Sequence, residues 1–186
     1  MAELAIALLH WPIRSRSGQV MCTNLTNFDL HDLARLARTY RLPRFYLVHP
    51  YQSQRLVAHR ILAYWRDGKG GEMNPDRREA MGVVRVVSNL TEAAVDLKGC
   101  CGLLPWTVYT DARSDWRNLS YPALRRKLRR RSAPCLLAFG TGWGIEPTEM
   151  TSCDYFLEPI AATSDYNHLS VRSAASIIVD RIFRSH

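Results

Sequence analysis

A chain of 186 residues with 47% hydrophobic content is sized for one domain with a sizeable core. Its formal charge of +8, from 25 Lys and Arg against 17 Asp and Glu, points to an anionic partner, and no apolar run approaches the roughly 20 residues that cross a bilayer. The cysteines Cys22, Cys100, Cys101, Cys135 and Cys153 are scattered and form no CxxC pair, which argues against a disulfide framework and a zinc site; no metal is expected. The opening MAELAIALLH lacks the basic flank and cleavage site of a signal peptide, so the expected location is the cytoplasm.

Residues 4–9, LAIALL, form an apolar run of strand length, and 14–19, with its serines and Gly18, reads as a loop. In NLTNFDLHDLARLARTY, 24–40, Leu30, Leu33, Ala34 and Ala37 recur at helical spacing, with Asp29 as the expected cap and Asn27 as the alternative. His31, Arg35 and Arg38 stand at i, i+4 and i+7, so they are expected to share one basic face. Pro43 ends this helix, and 45–49 is a second buried strand. Residues 53–65 pattern as an amphipathic helix with Leu56, Ile61, Leu62 and Trp65 inward. The following DGKGGEMNP, 67–75, reads as a mobile loop and lacks the GxxxxGK[ST] spacing of a phosphate loop.

Residues 83–87 are a strand by their β-branched content, and Asn89 with Glu92 has capping-box spacing at the start of a helix that stops near Gly99. A short strand at 107–110 runs into the polar loop DARSDWRNLS, which holds Arg113 and Arg117. Ser120 is placed to cap a helix carrying Arg125, Arg126, Lys127, Arg129, Arg130 and Arg131, a block suited to phosphates or to a solvated face. A fifth strand at 135–139 and a sixth in CDYFLEPI, ending at Glu158 and Pro159, complete the alternation. This order predicts an α/β fold with a mostly parallel sheet, helices on both faces, and ligands beyond the carboxyl ends of the strands.

FGTGWG spaces Gly140, Gly142 and Gly144 so that the main chain can approach a ligand closely. Ile145 stands where a dinucleotide fingerprint begun at Gly140 needs its last glycine, and no basic residue is present for phosphates. The loop therefore suits an uncharged adenine or ribose, or else is a tight strand-to-helix turn. Pro147 and Glu149 suit the first turn of a helix after it. Asp165, Asn167, His168 and Ser170 cluster before a last helix striped with Val171, Ala175, Ile178 and Ile182. With 155–160 between them, these stretches are expected to converge on one small-cofactor pocket.

LLAFGTGWGI, DYFLEPI and NHLSVRSAASIIVDRI, in that order, resemble the three C-terminal motifs of the SPOUT RNA methyltransferases. More narrowly, the chain resembles a small bacterial family of SAM-dependent RNA methyltransferases related to the tRNA guanine-N1 methyltransferases. NLTNFDLHDLARLARTY, NPDRREA and VYTDAR extend the resemblance over nearly the whole chain. It implies a C-terminal trefoil knot, a homodimer, and S-adenosylmethionine bound bent at the knot. Motif matching implies cofactor contacts from Phe139, Gly140, Thr141, Gly142, Trp143 and Gly144, from Glu158, Pro159 and Ile160, and from Asn167, His168, Leu169 and Ser170, with Thr110 on the adenosine side. Arg38, in ARTY, matches the arginine that helps activate the target hydroxyl in the ribose-methylating branch, and Asp165 is the expected base. His31, Arg35, Arg113, Arg125, Arg126, Lys127, Arg129 and Arg130 are the expected contacts to tRNA or rRNA. GTGWG replaces the GxExxG-like loop of that branch, so its glutamate has no counterpart, and a base nitrogen and a ribose 2′-hydroxyl both remain open as acceptors. The rival expectation is a non-catalytic RNA-binding protein with a vestigial or regulatory pocket.

Overall fold

Residues 2–113, 118–150 and 153–184 are described in the computed structural model. The expected Arg117 lies outside them. The first strand, β1 (Leu4–Leu9), is buried along its whole length, which is why a continuous rather than an alternating apolar run encodes it. A hairpin of two short strands follows, β2 (Ile13–Arg14) and β3 (Val20–Met21), where the sequence suggested only a loop. Next come α1 (Asn27–Thr39), β4 (Phe45–Val48), α2 (Gln52–Arg66), α3 (Lys69–Met73), α4 (Pro75–Gly82), β5 (Val84–Val87) and α5 (Leu90–Cys101). The remainder is β6 (Trp106–Thr110), α6 (Tyr121–Arg130), β7 (Cys135–Gly140), α7 (Pro147–Met150), β8 (Tyr155–Phe156) and α8 (Val171–Phe183).

Six strands form one parallel sheet in the order β5-β4-β1-β7-β6-β8. Alternate residues of β1 feed two core layers. Leu4, Ile6 and Leu8 join Leu30, Leu33, Leu124, Leu128 and Val179 from α1, α6 and α8. Ala5, Ala7 and Leu9 join Ala93 and Leu97 of α5, together with Ile13 and Ile145. From β1 the chain steps outward through β4 to β5, then crosses to β6 and returns at β7 beside β1. The order of strands therefore reverses between β1 and β7, the position at which open α/β sheets leave a crevice for ligands.

Several local expectations need correction. Thr26 caps α1: its hydroxyl accepts from the Asp29 amide at 3.1 Å and donates to the Asp29 carboxylate at 2.6 Å, so Asp29 is the partner of the cap and Asn27 is already helical. His31 does not join Arg35 and Arg38 on an exposed face. It is buried, edge-on to Trp65 at 5.3 Å. Residues 67–75 are not a loop but contain α3, whose Asn74 caps α4 through the Arg77 amide at 3.0 Å. In α2, Ala58 and Leu62 are buried and Ile61 and Trp65 pack against the same core as expected, whereas Leu56 is half exposed. The helix α5 passes Gly99 and stops at Gly102, the left-handed residue after Cys101. Among the described residues no helix is long and apolar enough to cross a membrane, and no group of His, Cys, Asp or Glu is arranged to hold a metal.

Candidate functional site

Leu9 and Gly140 are register partners at the carboxyl ends of β1 and β7. Beyond them opens a cavity of about 700 Å³, a volume ordinary for a small-ligand site. One wall is the loop from Phe139 to Gly144, and a second is Thr110 to Arg113. A third is made by Ile160 and residues 167–171, with Ala174 and Ile178 of α8. Thr23, Asn24, Thr26 and Asp29 close the fourth side.

Close packing between two of these walls requires glycine at position 144. Its φ is +94°, and a Cβ there would lie 2.7 Å from Asp111 Oδ2 and 3.2 Å from Arg113 Nη2. The nearly buried Asp111 carboxylate accepts from the Arg113 amide and Nε, both at 2.8 Å, and from Arg113 Nη2 at 2.6 Å. Thr110 donates its hydroxyl to the Ala138 carbonyl at 3.0 Å, fixing the end of β6 against β7.

Thr141 heads a chain of hydrogen bonds that runs beneath the cavity. Its hydroxyl donates to the Leu9 carbonyl at 3.1 Å, so the 2.5 Å contact between Thr23 and Thr141 has Thr23 as donor. His10 Nδ1, 3.0 Å from Thr23 Oγ1, then donates to it. His10 Nε2 has no partner among the described residues. Burial, with a smaller contribution from His49 stacked at 5.4 Å, lowers His10 to about 4. The imidazole is therefore neutral at physiological pH.

At the opposite wall Ser170 caps α8 by accepting from the Ser173 amide at 3.2 Å. Arg172 pairs with Asp29 at 3.4 Å and with Asp32 at 3.2 Å, pinning the start of α8 to the start of α1. Asn167 Nδ2 lies 3.5 Å from the Ala112 carbonyl and 3.4 Å from that of Ile160, reaching the other two loops. At the rim, His168 is edge-on to Trp143 at 5.7 Å and to Tyr166 at 5.2 Å.

Of the sequence-derived cofactor residues, Thr110, Phe139, Gly140, Thr141, Gly142, Trp143, Gly144, Ile160, Asn167, His168, Leu169 and Ser170 all line the cavity, and so does Arg113. Glu158 and Pro159 do not. Glu158 accepts from the Tyr121 amide at 2.7 Å and so finishes the start of α6. Asp165 is exposed and absent from the cavity lining. Arg38 also lies elsewhere: it is bound to Glu79 of α4, in a shallow depression shared with Arg35, Thr39 and Arg41.

The basic block on α6 is divided between roles. Lys127 donates to the Tyr155 hydroxyl at 3.0 Å and holds that phenol below its usual range, while Arg125 donates to the Arg184 carbonyl at 2.6 Å. Arg126, Arg129 and Arg130 are exposed. Sequence reasoning missed Thr23, Asn24, Asp29 and Asp111 as cavity residues. A signal was present for Asp111, which directly follows a predicted strand; Asp29 was masked by its suitability as a helix cap.

Residues 3–184 match the family described as SAM-dependent RNA methyltransferase. The chain is 43% identical over 178 residues to an uncharacterized protein of Aquifex aeolicus strain VF5, a match spanning 96% of this chain and 87% of that protein. It is 40% identical over 180 residues to a tRNA (guanine-N(1)-)-methyltransferase of Oleidesulfovibrio alaskensis, spanning 97% of this chain but only 42% of that relative's length. Among solved structures, TrmJ from Z. mobilis ZM4 superposes with a TM-score of 0.61 at 14% identity, covering 100% of this chain and 70% of that one. The SpoU methyltransferase AviRb from Streptomyces viridochromogenes, in complex with AdoMet, superposes at 0.54 with 14% identity, covering 97% and 56%. The two likenesses show a shared α/β fold. By the extent of the family match, this chain belongs to the SAM-dependent RNA methyltransferases.

Proposed function

We propose that the cavity at the β1/β7 switch point holds S-adenosylmethionine and that the chain transfers its methyl group to a nucleotide of tRNA or rRNA. The observation that carries this reading is the convergence of the three C-terminal loops on one cavity of suitable size. The lining also fits the cofactor chemically. Main-chain groups of the 139–144 loop and the Thr110 end of β6 suit adenosine, and Phe139, Ile160 and Leu169 supply apolar surface for its ring. Asp29 brings a carboxylate to the lining, and the Asp111–Arg113 ion pair brings both signs of charge to one wall. When bound, the cofactor supplies a methyl already activated on a sulfonium. The protein's own work is then to place an acceptor in line with it and to let a proton leave.

Five finer points belong to the same proposal. The whole chain is one SPOUT-like domain, and its C-terminal segment forms the trefoil knot; the reach of Asn167 to Ala112 and Ile160 supports close threading of that segment past the other loops. The chain works as a homodimer, supported by the exposed apolar side chains of Phe28 and Leu169 near the cavity. Arg38, outside the cavity in one chain, serves the site from a second copy. Arg35, Arg126, Arg129 and Arg130 contact RNA phosphates, and Asp165, beside Tyr166 at the rim, is the base offered to an acceptor there. Guanine N1 of tRNA is the acceptor named for the longer relative, and a ribose hydroxyl is the alternative.

A second reading, RNA binding without catalysis, draws on one observation. Both cavity carboxylates are held by arginines, Asp29 by Arg172 and Asp111 by Arg113, so neither is a free base. Calorimetry with S-adenosylmethionine tests the cofactor claim. Saturable binding, weakened by Gly142→Val, is expected, because a side chain at Gly142 would press on Ile13 from a Cβ only 3.0 Å away. Absence of binding by the wild-type protein overturns the claim.

A further inference from the structure

The β2–β3 hairpin has no part in the fold's main sheet, yet its main chain is bonded to the glycine loop. The Arg14 amide donates to the Gly144 carbonyl at 2.9 Å, and the Trp143 amide donates to the Arg14 carbonyl at 3.3 Å. The Glu146 amide donates to the Pro12 carbonyl at 3.0 Å, and Ile13 bridges Ile145. The hairpin tip is internally fixed. Ser15 donates its amide to the Gln19 carbonyl at 2.8 Å, accepts from the Gln19 amide at 3.0 Å through its hydroxyl, and contacts the Ser17 hydroxyl at 2.9 Å.

This element is rigid, apolar and cationic at its surface. Trp11 is 45% exposed, Val20 53% and Met21 41%, so three large apolar side chains are offered to solvent within eleven residues of chain. Arg14 and Arg16 make no ion pair among the described residues. No Asp or Glu occurs anywhere from Leu4 to Phe28. An exposed indole three and five positions before two guanidiniums that make no ion pair, at the start of a bonded turn, matches an unpaired nucleic acid strand: the indole stacks a base and the arginines meet phosphates.

We infer that the β2–β3 hairpin is a docking element for single-stranded RNA, placed one hydrogen bond from the cofactor loop. The inference rests on the RNA half of the proposed function and adds the surface that receives the strand. Arg14 is bonded through its main chain to both Trp143 and Gly144, so the hairpin and the cofactor loop form one connected surface.

The test uses the full-length protein and a mixed-sequence single-stranded oligoribonucleotide, with affinity measured by fluorescence anisotropy across a salt series. Arg14→Ala/Arg16→Ala is expected to flatten the slope of log affinity against log salt by about 1.4, roughly 0.7 for each phosphate that is no longer neutralised. Trp11→Ala is expected to weaken binding about fivefold or more without changing the slope. Both variants should keep cofactor affinity, measured by calorimetry without RNA, within about twofold of wild type.

An unchanged slope and affinity in the double variant overturns the inference. So does a change of oligomeric state with RNA affinity intact, since the face would then belong to a second copy. The arginine substitutions leave the backbone bonds in place, so they decide the question if Trp11→Ala fails to fold. Failure of the wider reading looks different. A wild-type protein that binds RNA through the hairpin but transfers no methyl leaves the docking surface standing and removes the enzyme.

Discussion

Gly144→Ala probes the junction on which the cavity depends. Two separate costs are expected. The first is conformational: at φ +94° an alanine is strained by about 1–2 kcal/mol. The second is local, because the new Cβ would lie 2.7 Å from Asp111 Oδ2, and that oxygen cannot swing freely while its carboxylate is held by three bonds from Arg113. Disturbing a nearly buried, hydrogen-bonded carboxylate costs about 1–3 kcal/mol more.

Gly102 provides the matched control. Its φ is +82°, yet a Cβ there meets nothing within 4 Å. Gly102→Ala should therefore show only the strain. For a chain of this size each kcal/mol moves the melting temperature by about 2–4 °C, so Gly144→Ala should melt about 4–20 °C below wild type and Gly102→Ala about 2–8 °C below. Calorimetry sharpens the contrast: Gly144→Ala should weaken S-adenosylmethionine binding about tenfold or more, and Gly102→Ala should leave it unchanged. Equal melting temperatures and intact cofactor affinity in both variants would refute the reasoning.

Three further outcomes follow from the geometry. Burial and the neighbouring His49 hold the folded-state value of His10 at about 4, below its unfolded value of 6.5, so the unfolded chain takes up the proton first as pH falls. Stability from this residue is constant above about pH 6.5 and declines by about 3 kcal/mol toward pH 4, with His49 and His31, also lowered by burial, adding in the same direction. Melting curves of His10→Gln across this range should fall less steeply than wild type; equal steepness would contradict the assignment. Arg38→Ala removes only an exposed pair with Glu79, so it should cost less than about 1 kcal/mol of stability and leave cofactor affinity intact while abolishing methyl transfer. Loss of cofactor affinity as well would make Arg38 structural. Asp96→Ala strands the buried Tyr46 hydroxyl, which donates to Asp96 at 2.7 Å, and should cost about 1–3 kcal/mol by denaturant titration. In Tyr46→Phe/Asp96→Ala the combined loss should be smaller than the sum of the two single losses, as shared partners require.

The elements legible in the sequence were those that local chemistry alone specifies. The continuous apolar run of β1 marks a strand buried on both faces, and Asn89 and Ser120 each cap the helix that follows. The elements that were misread depend on distant packing. Gly70 and Gly71 look like punctuation, yet a Cβ on Gly70 would collide with the Tyr64 ring and one on Gly71 with the Trp65 carbonyl, so these glycines permit α3 to fold tightly onto α2. His31 has polar spacing on α1 but faces Trp65, a residue more than thirty positions later.

The candidate site divides in the same way. Loop residues that follow a strand, such as Thr110 and Phe139 to Gly144, were legible because parallel sheets leave their ligand crevice at that end. Thr23 and Asp29 were not, since they reach the cavity only through the hairpin and the pairing of α1 with α8. Glu158 lies outside the cavity lining, and its position in a motif said nothing of the Tyr121 amide from which it accepts.

The most direct measurement is transfer of tritiated methyl from S-adenosylmethionine to total RNA isolated from a strain lacking this protein. Label should accumulate in that RNA with the wild-type protein, and should not accumulate in RNA from the parent strain, where the acceptor is already methylated. RNA that binds the protein but gains no label would contradict the account.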